Sequence, residues 1–170
     1  MARPHVTVNF AMSVDGKIAL PARKPTRISD EEDLRRVHQL RATCDAVLVG
    51  VGTVLADDPK LTVKPEHATG RNPLRVVLDS EGRTPFPPRN SKSVRRLLVE
   101  GGEEVIWSFL HGRLADEVKV FVGSMAIGGR TSPTPAGGAG AQHLEEIVPL
   151  KLESAKPLGS GVLLEYAVVR

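Results

Sequence analysis

The hydrophobic positions of this chain fall in short runs separated by polar turns, a pattern that predicts many strands and few helices. Strands are expected over residues 5–12, 46–49, 73–79, 97–100 and 116–122, and a two-stranded hairpin over 150–154 and 161–169. Apolar residues at helical spacing follow Ser29 and, later, the glycine pair at 101–102. Strands that alternate with helices and end in a hairpin indicate a mainly parallel α/β sheet with an antiparallel edge.

The first helix has a predicted beginning in the segment S-D-E-E-D, which starts at Ser29. Ser29 and Glu32 match a capping box, in which each side chain bonds the other residue's backbone N–H. Asp30 and Glu31 place negative charge where the helix dipole is positive. We therefore expect a helix that has Ser29 as its N-cap and leads into the strand at 46–49.

Composition and charge exclude several classes of protein. The 170 residues are 41% hydrophobic and 25% charged, which is typical of one folded domain. The net charge of +3 comes without a dense basic run interleaved with aromatic residues, so nucleic acid is not an expected partner. The single Cys44 excludes an internal disulfide and suits a cytoplasmic location. No cluster stands at metal-ligand spacing, and no apolar run approaches the roughly 18 residues of a membrane span.

The segment after the second predicted strand carries the most informative chemistry. It reads G-V-G-T-V-L-A-D-D-P-K-L-T-V-K over residues 50–64. Gly50 and Gly52 let the backbone come close to a ligand, Thr53 adds a hydroxyl, and Asp57 and its neighbour add two carboxylates. Polar groups at the carboxyl end of a strand lie where open α/β sheets bind ligands. On this segment alone, a plain tight turn explains the two glycines equally well.

A second candidate site follows the fourth predicted strand. That strand delivers Glu100 to its carboxyl end, and Gly101 and Gly102 open a helix whose free amides suit a phosphate or pyrophosphate. Glu103 and Glu104 repel a phosphate there unless their side chains point away. The alternative is a simple helix start with a solvated Glu100.

Six segments of the chain, in this order, resemble the pyrimidine reductases of riboflavin biosynthesis. They are A-M-S-V-D-G-K-I-A (11–19), R-I-S-D-E-E-D-L-R-R-V-H (27–38), G-V-G-T-V-L-A-D-D-P-K-L-T-V (50–63), N-P-L-R-V-V-L-D-S (72–80), L-L-V-E-G-G (97–102) and L-A-D-E-V-K-V-F-V (114–122). That family includes stand-alone archaeal and fungal diaminopyrimidine reductases and the reductase half of the bacterial deaminase–reductase. Since the chain has no deaminase zinc signature, it is most similar to the stand-alone archaeal type.

The resemblance implies a fold and a reaction. The expected fold is a dihydrofolate-reductase-like three-layer α/β/α sandwich, with residues 1–170 as a single reductase domain. The expected reaction is the reduction of 2,5-diamino-6-ribosylamino-4(3H)-pyrimidinone 5′-phosphate to its ribitylamino form by NADPH, with NADH as an alternative. The ribosyl ring opens to an imine, and hydride from the nicotinamide adds to the sugar C1′. Family members form dimers, and the terminal hairpin offers an edge for that contact.

The resemblance also implies roles for single residues. Cofactor contacts are expected at Gly50, Gly52, Thr53, Asp57, Ser80, Gly101, Gly102 and Glu103. Substrate contacts are expected at Ser29, Arg41, Leu61, Lys64 and Glu100. Arg41 and Lys64 are placed around the ribosyl phosphate, where Lys64 replaces the arginine usual in the bacterial bifunctional enzymes and so weakens bidentate recognition. Glu100 and Asp57 are the candidates for an acid or base.

The chain departs from the family between Asn90 and Ser91. The family carries several dozen further residues there, with a strand, a loop and a helix that help to hold the adenosine end of the cofactor. Either the sequence omits a disordered segment or the protein is a shortened variant. An omitted segment is favoured, because deletion of a core strand exposes apolar sheet edge.

Two rival functions remain open on the sequence. One is a dihydrofolate or pteridine reductase, against which the S-V-D-G-K and L-V-E-G-G segments speak. The other is a nucleotide-binding module without turnover. The shortening between Asn90 and Ser91 and the two carboxylates of Glu103 and Glu104 are the features that favour it.

Overall fold

A seven-stranded sheet organises the part of the chain that the structure describes, residues 3–21, 26–83 and 94–169 of a computed structural model. The elements are β1 (His5–Ser13), α1 (Glu31–Ala42), β2 (Ala46–Gly50), α2 (Val51–Asp57), β3 (Leu74–Leu78), β4 (Arg96–Val99), α3 (Glu103–His111), β5 (Glu117–Gly123), a 3-10 turn (Leu144–Glu146), β6 (Leu150–Leu158) and β7 (Gly161–Val168). The strand order is β3-β2-β4-β1-β5-β7-β6. No helix in the described ranges is long and apolar enough to cross a membrane.

The sheet has the mixed topology that the sequence predicts. Strands β3, β2, β4, β1 and β5 are parallel, whereas β7 pairs antiparallel with both β5 and β6. Strand β1 lies in the middle, between β4 and β5. Parallel neighbours end at the same edge of a sheet, so the residues that follow β1, β2 and β4 meet at one edge.

Two apolar clusters cover the two faces of the sheet. On one face Val8 and Val99 pack with Ile106 and Leu110 of α3. On the other face Val47, Val49 and Leu98 pack with partly buried residues of α1 and α2. Helices on both faces of a mainly parallel sheet make the predicted three-layer α/β/α sandwich.

The predicted capping box of α1 is wrong. Asp30 is the N-cap, and its Oδ1 accepts the backbone N–H of Asp33 at 2.9 Å. The Ser29 hydroxyl donates instead to the carboxylate of Asp33, which is fully buried. A buried carboxylate needs such donors, so Asp33 takes the hydroxyl that the pattern assigned to the cap.

The first turn of α1 is also tied to the C-terminal hairpin. Asp30 Oδ2 accepts from the backbone N–H of Ser160 at 2.6 Å, and Glu32 Oε2 accepts from that of Gly159 at 3.0 Å. The N-cap bond from the Asp33 N–H is the largest cause that lowers the pKa of Asp30, and the bonds from Ser160 lower it further, because they favour the charged form. Glu32 is therefore used at the hairpin turn and not in the predicted capping box.

The segment expected as a glycine turn after β2 forms the short helix α2. Gly50 is its N-cap with ψ 153°, and Asp58 ends it in the left-handed region at φ 40°. The helix thus ends at Asp57, two positions before Pro59. Gly52 lies inside a helix and not in a turn.

Strand β3 forms one edge of the described sheet and is poorly covered. Leu74 and Leu78 are 38% and 44% exposed, which is unusual for a strand of a parallel sheet. The junction between Asn90 and Ser91, where the sequence departs from the resembling family, lies outside the described residues.

Candidate functional site

The two glycine-rich segments meet at the carboxyl edge of the sheet. The backbone N–H of Gly50 donates to the carbonyl of Gly101 at 2.7 Å, and that of Glu100 donates to Leu48 at 3.0 Å. The peptide between Gly101 and Gly102 is cis. Because β2 and β4 are parallel neighbours, the sequence-predicted cofactor residues that follow them share one surface.

The packing around these glycines leaves no room for larger side chains in two places. A Cβ at Gly50 would lie 2.8 Å from Val105 Cγ2, and one at Gly102 would lie 3.2 Å from the Thr53 hydroxyl. Around Gly52, by contrast, a Cβ would meet nothing within 4 Å. The glycines thus form a backbone-lined surface that is closed beneath and open at Gly52, which fits an extended phosphate-containing ligand.

Helix α3 begins at this surface without a side-chain cap. Its N-cap is Gly102, so no side chain of the capping residue competes with an anion at the start of this helix. Glu103 packs against the loop that carries Gly137. A Cβ added to Gly137 would lie 2.7 Å from Glu103 Cγ, and the Gly137 N–H donates to the Glu103 carbonyl at 3.2 Å. The carboxylate that seemed to oppose a phosphate cradle is therefore packed against the loop at 133–140.

Glu100 is held by Arg41 in a partly buried ion pair. Arg41 Nη2 lies 2.9 Å and Nε 3.2 Å from Glu100 Oε2, and the two side chains are only 17% and 8% exposed. Arg41 Nη1 also donates to the Thr62 carbonyl at 3.3 Å. Two predicted substrate residues are thus brought together, with Arg41 bonded to a carboxylate where the sequence suggested a phosphate partner.

The other two predicted substrate residues of this region have different surroundings. Leu61 is 5% exposed and packs in the core with Val47 and Leu98, at a positive φ of 52°. Its side chain therefore supports the fold. Lys64 is exposed, and its Nζ lies 3.8 Å from Glu66, a contact of little strength at a surface.

A cavity of ≈ 250 Å³ lies at the carboxyl end of β1. It is lined by Ala11, Ile18, Thr26, Arg27, Ile28, Ser29 and Leu34. Ser29, a predicted substrate residue, therefore shares a cavity with Thr26 and Ile28 at the end of β1, the strand that pairs with β4. Its walls are mostly apolar, with the Ser29 hydroxyl already donated to Asp33.

Asp57 and Ser80 lie apart from this cluster. Asp57 is the last residue of α2, and loss of hydration raises its pKa. Ser80 is exposed beyond the end of β3. Asp57 lies at the end of α2, whereas Glu100 directly follows β4, so these two candidate acids are carried by different elements. In the same ranges, no group of three His, Cys, Asp or Glu could hold a metal ion.

The sequence analysis assigned no role to Asp15, which the structure shows to be a hydrogen-bond acceptor for two loops. Its carboxylate accepts from the Ser13 hydroxyl at 2.5 Å and from the backbone N–H groups of Ile127 and Gly128 at 3.0 and 2.6 Å. These bonds, led by that of Ser13, lower the pKa of Asp15 to about 2. Asp15 joins the loops after β1 and β5, and only its place at a strand end could have indicated this.

Two histidines were also missed. His38 is buried on α1, and its ring stacks on that of His67 at a centroid distance of 4.9 Å. They are 29 positions apart in sequence, so no local spacing relates them.

Comparison with known proteins gives a consistent result. The family model described as the RibD C-terminal domain matches residues 4–92 and 89–164. The chain is 38% identical to a 2,5-diamino-6-ribosylamino-4(3H)-pyrimidinone 5′-phosphate reductase from Methanothermobacter thermautotrophicus, over 98% of this chain and 99% of the relative. It is 39% identical to a protein of the same name from Archaeoglobus fulgidus, over 80% and 87% of the two chains.

Solved structures show the same fold. RibD from Acinetobacter baumannii superposes with a TM-score of 0.85 at 22% identity, over 99% of this chain and 59% of that one. A deaminase/reductase from Thermotoga maritima superposes with a TM-score of 0.82 at 28% identity, over 98% and 57%.

Proposed function

Because this chain belongs to the RibD C-terminal domain family, we propose that it reduces 2,5-diamino-6-ribosylamino-4(3H)-pyrimidinone 5′-phosphate to the ribitylamino product, with NADPH as the reductant. The observation that carries the proposal is the meeting of the glycine-lined ends of β2 and β4 beside the Arg41–Glu100 pair. A dinucleotide surface and a polar substrate contact then share one edge of the sheet.

The cofactor side of the proposal uses residues that fit a dinucleotide. Gly50, Gly52 and Thr53 line the surface, and the uncapped start of α3 at Gly102 receives the pyrophosphate. Ser80 lies farther out, on the side of β3. When bound, the nicotinamide supplies a hydride, and the protein's task is to orient it and exclude water.

The substrate side of the proposal combines the cavity with the Arg41–Glu100 pair. The pyrimidine enters the cavity next to Ser29, and the phosphate is bound by Lys64. Arg41 can only donate hydrogen bonds, so Glu100 accepts from it and keeps further acceptor capacity for a substrate N–H or O–H. Arg41 thereby fixes the Glu100 carboxylate in place.

Steady-state assays of NADPH oxidation with two alternative substrates, the ribosylaminopyrimidine phosphate and dihydrofolate, test this function. Oxidation of NADPH should follow addition of the ribosylaminopyrimidine phosphate and be absent with dihydrofolate. Glu100→Gln serves as the matched control with strongly reduced activity. Turnover of dihydrofolate in place of the pyrimidine would favour a pteridine reductase, and NADPH binding without turnover of either would favour a nucleotide-binding module.

We also propose that the protein is a cytoplasmic homodimer that associates through the C-terminal hairpin. In the described chain, the outer edge of β6 has no strand partner. Leu152 and Val162 expose 53% and 40% of their area on this part of the sheet. Light scattering should give twice the monomer mass, and Leu152→Glu should give the monomer mass.

A segment near Asn90 is proposed to be missing from this chain relative to its family. The alignment with the Methanothermobacter protein extends over 214 positions, although this chain has 170 residues. The two family matches also meet at residues 89–92. The exposed Leu74 and Leu78 of β3 suit an edge that additional chain would cover.

A further inference from the structure

Two histidines outside the proposed chemistry lie against the segment that carries Lys64. His38, on α1, is 6% exposed. The His67 ring lies over it, with planes inclined by 24°. A turn closes beneath His67, whose backbone N–H donates to the Lys64 carbonyl at 3.0 Å. The stack therefore joins α1 to the 61–68 segment.

His38 receives a hydrogen bond directly from that segment. The backbone N–H of Lys64 donates to His38 Nδ1 at 3.3 Å. Only a ring nitrogen without a proton can accept an N–H, so the ring is neutral with its proton on Nε2. Arg41, three residues later on α1, donates to the Thr62 carbonyl. Helix α1 thus holds the segment at two backbone positions, one on each side of Val63.

The surroundings of His38 oppose a positive charge on its ring. Burial is the largest cause that lowers the pKa of His38, and the positive groups of Arg41, His67 and Lys64 lower it further. The nearest acidic groups bind the outer cations: Glu31 lies 3.6 Å from His67 Nε2, and Glu66 lies 3.8 Å from Lys64 Nζ. Glu66 also interacts with His38, and the backbone hydrogen bond with Thr62 favours a proton on the ring. Burial and the nearby positive groups outweigh both, so the neutral ring is favoured.

We propose that His38 is a positioning residue for substrate binding, whose neutral imidazole holds the backbone of Lys64 and whose protonation releases it. This inference rests on the proposed function, in which Lys64 binds the substrate phosphate. Protonation turns Nδ1 from an acceptor into a donor, which then faces the donor N–H of Lys64. The phosphate side loosens as the pH falls, whereas the hydrogen bond and ring contact of His38 go to the 61–68 segment and not to the ends of β2 and β4.

The direction of the pH effect follows from linkage. The pKa of His38 is lower in the folded protein than the unfolded value of about 6.5, so the unfolded or released state binds more protons between the two values. The contribution of His38 is complete above the unfolded value. It is lost as the pH falls toward the folded value.

Two substitutions distinguish the role of His38 as a hydrogen-bond acceptor from the effect of its protonation. His38→Leu removes the acceptor, and the KM for the pyrimidine phosphate should rise about tenfold at neutral pH, with kcat and NADPH affinity unchanged. His38→Asn places an amide oxygen near the position of Nδ1 and does not titrate. At neutral pH the KM of His38→Asn should stay near the wild-type value. Below about pH 6.5 the wild-type KM should rise, whereas that of His38→Asn should not. His143→Leu, at an exposed position, is the matched control.

The result that overturns the inference is a wild-type KM in His38→Leu, even if its melting temperature falls. A second measurement is independent of activity. Nitrogen NMR of the histidine rings should show the Nε2–H tautomer of His38 at neutral pH, and the Lys64 amide signal should shift when His38 is protonated. A protonated Nδ1 at neutral pH would contradict the inference, whereas wild-type inactivity with the expected NMR signals would fault only the proposed function.

Discussion

Arg41 and Glu100 are 59 positions apart in sequence, and three nitrogen–oxygen distances of 3.2 Å or less join their side chains at the carboxyl edge of the sheet. The pair connects the end of α1 to the end of β4. Replacing one partner leaves the other partly buried without its counter-charge, which costs more than loss of an exposed pair. Both the substrate contact and the local fold therefore depend on it.

Glu100→Gln should lower kcat/KM by about a hundredfold, because the site loses a positioned charge. The substitution should also lower the melting temperature, since a Gln side chain has one acceptor oxygen and cannot accept all the hydrogen bonds that Arg41 donates to the two Glu100 oxygens. Steady-state kinetics and thermal melts measure the two effects. Glu104→Gln, an exposed change in the first turn of α3, is the control. Full activity of Glu100→Gln would remove Glu100 from the site.

Gly52→Ala should stabilise the protein while weakening NADPH binding. Alanine is favoured over glycine within a helix by about 0.5–1 kcal/mol, and a Cβ at Gly52 meets no atom of the protein within 4 Å. The same methyl group occupies space that the proposed dinucleotide needs. Thermal melts and titration of nicotinamide fluorescence should therefore move in opposite directions. Unchanged NADPH affinity would show that the dinucleotide does not approach α2.

Lys64→Ala should raise the KM for the pyrimidine phosphate by about ten- to a hundredfold, as expected for loss of one charged contact of about 1.5–3 kcal/mol. The KM for NADPH should stay constant, because Lys64 lies away from the glycine surface. Varying each ligand in turn makes the distinction. Lys60→Ala, an exposed lysine near the same segment, is the control. An altered KM for NADPH alone would assign Lys64 to the cofactor.

Asp15→Asn should loosen the two loops that Asp15 joins, because one oxygen becomes an N–H donor facing backbone donors. The pKa of Asp15 is lowered from 3.8 to about 2, so its carboxylate stabilises the fold above the unfolded value and loses this effect as the pH falls toward 2. The difference in melting temperature between wild type and variant should be constant above about pH 4 and shrink below it. Asp58→Asn is the control, and a difference that does not depend on pH would reject this role.

The intact mass of the natural protein tests the proposed gap near Asn90. A mass above the 18.3 kDa of this chain by several dozen residues would mean that the protein carries the segment its relatives have. A mass equal to that of the chain would establish a shortened variant and exclude an omitted segment. Weakened NADPH affinity relative to the archaeal relatives would then be expected.

The sequence predicted the strands well because each is a short apolar run with clear polar ends, as at 46–49. The glycine surface could also be predicted from the sequence, since neighbouring parallel strands bring the ends of β2 and β4 to the same edge of the sheet. Contacts that depend on three-dimensional packing could not be predicted from the sequence. The buried Asp33 overrode the local capping pattern at Ser29, and no spacing rule could match Arg41 with Glu100 or place Leu61 in the core.

The bonds from Asp30 and Glu32 to the hairpin turn have a consequence for biosynthesis. The turn residues Ser160 and Gly159 lie about 130 positions later in the chain, so the first turn of α1 lacks these two bonds until the hairpin has been synthesised. Strand β7, which separates β5 from β6, follows both of them in the sequence. Such long-range closure slows folding, and a nascent chain that pauses before the hairpin exposes the β5 edge on the ribosome.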